Sequence, residues 1–209
     1  MSSEPQLPDL SELFSERSLW EIFRKSPPFY RNFFNLLTVL AALLCLTAFV
    51  VTRVVCGAES LEFHKIFFDW ANAGIVITST ILGFLLAGFA VLFTLLRPET
   101  ILRLQQVKRA GEQLSELKLI FFVFIDVFVH YLAFLFWCVL VLIFGGDNGP
   151  AHFAMRVLEV ALPGTTVAVS STIFVLWGTW FVLLILKLKS FVYNLYQALL
   201  LGVADSISQ

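Results

Sequence analysis

Asp126 and His130 are the residues whose type and spacing could do chemistry. They are four apart, which puts them on one face of a helix, a face that Ala133 and Trp137 continue. Both lie inside an apolar stretch from about Leu119 to Phe144. At the helical rise, Asp126 sits about 10 Å inside the start of that stretch. A charge at such depth costs several kcal/mol unless it is paired or hydrated, so it faces protein or water. Three functional roles fit: a polar pore lining, a proton-responsive switch, or a proton relay. The structural alternative, which the residues favour, is a neutralised or hydrogen-bonded pair that fixes helix register. Thr179 falls at similar depth in a second apolar stretch, and Ser171 lies on roughly the same side of it.

Catalysis has little to stand on. The chain has no GxSxG elbow, Walker loop, HExxH helix, Arg-rich voltage-sensing helix or potassium-filter sequence. Asp126 is the sole carboxylate in an apolar stretch, which disfavours a paired-aspartate protease. Cys45, Cys56 and Cys138 form no CxxC pair, and His64 with His152 makes a weak metal pattern. No catalytic residue, cofactor site or metal site is expected.

The elements around these residues follow from composition. Of 209 residues, 59% are apolar and 14% charged, with 23 Phe. The mean hydropathy is +0.88. A soluble domain carries about 25% charged residues, so an ordinary water-soluble enzyme is excluded. The net charge of −1 gives no field for nucleic acid, and no direct nucleic-acid binding is expected. Four stretches are long enough to cross a bilayer as helices: residues 33–55, 74–96, 119–144 and 165–186. Only Arg53 and Asp126 among the Asp, Glu, Lys and Arg residues fall within them. The fold class predicted is therefore all-α: a polytopic membrane protein of four transmembrane helices with cytoplasmic amphipathic helices.

Orientation follows from the basic residues. Arg17, Arg24, Lys25 and Arg31 precede the first span. Arg97, Arg103, Lys108, Arg109 and Lys118 lie between the second and third, and Lys187 and Lys189 follow the fourth. Arg53, Lys65 and Arg156 lie on the other side, eleven against three. Both termini and the middle loop are predicted to be cytoplasmic. The first apolar run begins some 30 residues in and is longer than the core of a signal peptide, so cleavage there is not expected.

Three regions result. Residues 1–32 form a loose tail and a helix over Ser11 to Lys25, which either lies on the cytoplasmic leaflet or packs on a neighbouring subunit or loop; Ser26-Pro27-Pro28 ends it. Residues 33–189 form the transmembrane domain. Within it, 97–118 reads as a helical hairpin that starts near Pro98, is interrupted at Gly111, and offers Arg97, Arg103, Lys108, Arg109 and Lys118 to anionic headgroups or to solvent. On the opposite side, Glu59 to Asp69 is a short mixed connection, Gly145 to Pro150 a turn, and Ala151 to Leu162 a short helix stopped by Pro163-Gly164. Residues 190–209 extend the fourth helix or form an interfacial helix. No internal repeat divides the spans into two halves.

Small residues predict close helix packing. Ser79, Gly83 and Ala87 recur at four-residue intervals in the second span beside Gly88, and Gly178 lies in the fourth with Ala168, Ser171, Thr172 and Thr179. Spans two and four are expected to pack tightly, within a chain or between chains.

The second span and its exit, STILGFLLAGFAVLFTLLRPET from Ser79 to Thr100, resemble a pattern in small bacterial four-span membrane proteins. Some of those are accessory or effector proteins of antiviral operons, CRISPR-associated and cyclic-nucleotide-signalling ones among them. The match covers about a tenth of the chain and carries over no functional residue. The resemblance implies a non-enzymatic effector that forms homo-oligomers and perturbs the bacterial inner membrane. A cytoplasmic protein partner acting through the first amphipathic helix and the middle hairpin would control it. The alternative is a non-conducting structural or regulatory subunit of a larger membrane complex. A small transporter or intramembrane enzyme ranks below both.

Overall fold

The structure is a computed structural model that describes residues 21–22, 33–56, 60–95, 101–102, 104–105, 115–146 and 149–207. Among these residues the chain forms five helices: α1 Phe33–Val55, α2 Ser60–Leu95, α3 Glu116–Phe144, α4 Pro150–Ala161 and α5 Thr165–Ile207. Four of them, all but α4, are long and apolar enough to cross a membrane. The protein is all-α and polytopic. The expected helix over residues 11–25 lies outside the described residues except at Glu21 and Ile22, which are helical. Most of the hairpin 97–118 also lies outside them; Ile101, Leu102, Leu104 and Gln105 are helical.

Two helices run further than hydropathy alone marks out. α2 begins at Ser60, not near Gly74, so the mixed connection before that span is helical. Its apolar, membrane-length part is Ile66–Leu92. The isolated Asp69 does not stop the helix, because its exposed side chain leaves the backbone ladder intact. α5 continues unbroken to Ile207, which decides between the two readings of the C-terminal segment in favour of an extension. At 43 residues it is about 64 Å long, roughly twice a hydrocarbon core.

In lipid every polar group on a helix must find a partner close by. Several exposed threonines do so on their own helix. Thr38, Thr47 and Thr52 of α1 donate to the carbonyls of Phe34, Leu43 and Ala48 at 2.8, 2.7 and 2.8 Å. Thr80 and Thr172 do the same with Val76 and Ala168.

Packing follows a heptad-like seam on the long helices. On α2 it runs through Ala71, Gly74, Thr78, Leu82 and Leu85, and on α3 through Val127, Tyr131, Phe134 and Cys138. The residues fall into two compact units, and α2, α3 and α5 contribute to both. One unit draws on Leu85–Phe128 and Leu188–Gln209. Its core is Leu92, Leu104, Leu117, Ile120 and Ala198, beside a stack of Phe89 on Phe124 with centroids 3.9 Å apart. The other draws on Phe29–Phe84 and Val129–Lys187. There Phe134 meets Trp177, Trp180 and Phe181 at 5.7, 5.3 and 5.7 Å, and Val50 packs with Phe174. The Tyr131 hydroxyl donates to the Leu184 carbonyl at 3.0 Å, tying α3 to α5.

Candidate functional site

Asp126 and His130 are both half-buried on α3, which passes through them without interruption. Asp126 belongs to the first unit and His130 to the second. Ser171 and Thr179 belong to the second unit as well. Thr179 is not an open polar station, because its hydroxyl donates to the Val175 carbonyl of its own helix at 2.7 Å. Ser171 is different. It is buried, and its hydroxyl has no hydrogen-bond partner among the described residues; the same holds for Thr78 Oγ1, Trp177 Nε1 and Asn35 Oδ1.

The small residues divide sharply. A Cβ on Gly178 would lie 2.8 Å from Leu46 Cδ1, so this glycine admits a close approach of α1. The neighbour of Gly178 is thus the first long helix, not the second span with which close packing was expected. Gly88 stands in ordinary contact distance of Leu195 on α5, where a Cβ would be 3.8 Å away. Ser79, Gly83 and Ala87 are exposed, and a Cβ on Gly83 would meet nothing within 4 Å. That corrects the within-chain reading of this stripe: the buried seam of α2 lies on another face. A residue not singled out from the sequence, Gly74, is in the seam. Its Cβ would come 2.8 Å from Cys138 Sγ.

The basic surface is described only in part. Arg97, Arg103, Lys108 and Arg109 lie outside the described residues. Lys118 is buried at 8% exposure, with its ammonium 5.7 Å from the centre of the Phe122 ring. It is packed in the first unit, which corrects its expected place on an open basic face. The long aliphatic stem makes such burial possible.

A cavity of about 560 Å³ lies in the second unit. The C-terminal end of α3 supplies Trp137, Leu140, Val141 and Phe144; α2 supplies Phe67 and Phe68; and α5 supplies Thr166, Ser170 and Ile173. The remaining wall is α4, through His152, Met155, Arg156 and Glu159. Those four fall at one helix face. Pro150 in the first turn starts α4, and a turn through Gly164 at φ +83° separates it from α5. Glu159 fixes this junction. Its carboxylate accepts the Gly164 N–H at 2.8 Å, the Thr166 N–H at 3.1 Å and the Thr166 hydroxyl. These bonds, the Thr166 hydroxyl first, hold its carboxyl below the usual range. Sequence patterning marked the α4 segment but not this wall, which exists only once three helix ends converge.

Among the described residues no three His, Cys, Asp or Glu side chains converge on a metal-sized site. The side chain of His64 lies outside the described residues, and His152 faces the cavity. Compared with known proteins, the chain matches no family model, no curated protein and no solved structure.

Proposed function

We propose that this protein is a non-enzymatic effector or accessory protein of a bacterial inner membrane, acting as an oligomer of identical chains in a channel-like or membrane-perturbing way. Both termini and the middle loop face the cytoplasm, where a protein partner controls it. The observation that carries this reading is the pair Asp126 and His130, half-buried on a helix of membrane-spanning length. An ionisable group at that depth is costly against lipid, so these two side chains face protein or water, as a polar path between helices would have them do. The exposed Ser79, Gly83 and Ala87 offer a face on which another copy can approach closely. Repacking of α2, α3 and α5 around Asp126 and His130 would then open or close a polar path.

Two measurements test it. Overexpression should depolarise the membrane, and Asp126→Asn should change the depolarisation. The mass of the purified protein in detergent should be a multiple of 23.6 kDa. An intact potential at high expression, with a single-copy mass, overturns the proposal.

One observation favours the second reading, a non-conducting subunit of a larger complex. Phe134, Trp177, Trp180 and Phe181 fill the second unit with rings, and Thr179 turns its hydroxyl back to its own helix. Co-purification with one partner at fixed stoichiometry, and a monomer when alone, would support it.

A further inference from the structure

We propose that the cavity walled by α4 binds an anionic phospholipid, with an acyl chain between the helix ends and the headgroup phosphate on Arg156. The proposal depends on α3 and α5 crossing the membrane and holds whether or not the protein conducts. The first support is position. α3 reaches the end of its span at Phe144 and α5 enters its own at Thr165, so the cavity lies where hydrocarbon gives way to headgroups. The second is the two-sidedness of α4. Phe153, Val157 and Val160 recur on one face and are 70%, 54% and 87% exposed. A helix of this kind lies in the interface with that face in the acyl region. The adjoining face carries His152, Met155, Arg156 and Glu159 into the cavity wall, with Arg156 next to the exposed apolar stripe.

The third support is chemical. The wall is mainly aromatic and aliphatic, from Phe67, Trp137, Leu140 and Phe144, and its volume is within the range of ligand sites. Arg156 is the cation at the rim, and its guanidinium matches a phosphate bidentately. Glu159 lines the same cavity, but its oxygens are taken up by Gly164 and Thr166 at the start of α5. Among the described residues, that leaves the Arg156 charge for an outside anion. A soluble phosphate would use Arg156 and leave the apolar wall empty, which is why a lipid is the better occupant.

The test uses the full-length protein in a neutral detergent, titrated with phosphatidylglycerol, with phosphatidylcholine of the same chains, and with inorganic phosphate. Bound molecules are counted by native mass spectrometry. Phosphatidylglycerol should bind more tightly than phosphatidylcholine, and inorganic phosphate should not compete. Arg156→Gln should weaken phosphatidylglycerol about fivefold and erase the preference, while Arg156→Lys should keep most of it. Ser170→Phe, which fills the cavity, should expel both lipids from a chain of unchanged helicity. If that variant does not fold, the two Arg156 variants decide on their own. Equal retention of both lipids unaffected by Arg156→Gln, competition by inorganic phosphate alone, or full binding by a folded Ser170→Phe would each overturn the proposal.

Discussion

Glycines show how much a single methyl group decides in a chain that lacks a hydrophobic drive between its helices. At Gly178 a side chain would press into Leu46, and at Gly74 into Cys138 with Phe134 close behind. At Gly83 it would meet open space. Gly178→Val should therefore lower unfolding stability in detergent by about 1–3 kcal/mol, the usual cost of overpacking. Gly83→Val should leave the stability of a single chain unchanged. Equal effects at the two sites would mean that α1 does not approach α5 closely. Tyr131→Phe should cost about 1 kcal/mol by removing the hydroxyl that bridges to the Leu184 carbonyl. The sequence named Gly178 and Gly83 alike and had no means to separate them. In water, a buried face differs from an exposed one by residue type. Here Leu82 and Leu85 are buried while Phe84 and Leu86, chemically their equals, are exposed. Lipid and protein interior ask for the same side chains, so the inward face had to come from geometry.

At the scale of elements, the legible features are those that still contrast with a lipid-like background. The four apolar stretches, the start of α4 at Pro150 and the stop at Pro163-Gly164 are all visible because Pro, Gly and charge interrupt a uniform run. The early start of α2 and the long tail of α5 are not, since polar residues at a helix end change hydropathy without changing the backbone. The α4–α5 junction depends on Glu159, and its behaviour with pH has a definite sign. Its carboxyl is held below the ordinary range in the folded chain. It therefore stabilises the junction at every pH above the unfolded value, and this contribution is lost as pH falls through the folded value. Hydrogen-exchange protection of the Gly164 and Thr166 amides should stay level from neutral pH downward and drop only once the pH is below the ordinary glutamate range. Glu159→Gln should lower that protection at neutral pH and flatten the acid limb. Protection that instead fell on raising the pH would reverse the assignment. Gly164→Ala should cost the same junction about 1–2 kcal/mol, because at φ +83° an L side chain crowds its own backbone.

At the scale of the whole molecule the question is which way the chain is threaded, and the three cysteines can answer it. The fourteen Lys and Arg residues are divided eleven to three by the four spans, the asymmetry from which the cytoplasmic side is predicted. Cys56 is exposed at the end of α1, on the side predicted to be away from the cytoplasm. Cys45 is exposed too, but about 18 Å along α1 from Phe33, at a depth that a membrane-impermeant reagent does not reach. Cys138 is buried beside Gly74. A membrane-impermeant maleimide added to sealed cells should then label one cysteine, and Cys56→Ser should abolish the signal. Inverted vesicles should stay unlabelled until they are opened by detergent. Labelling of Cys56 in inverted vesicles alone would turn the molecule over. It would place the basic middle loop outside, and a cytoplasmic partner could no longer reach the loop through which control is proposed.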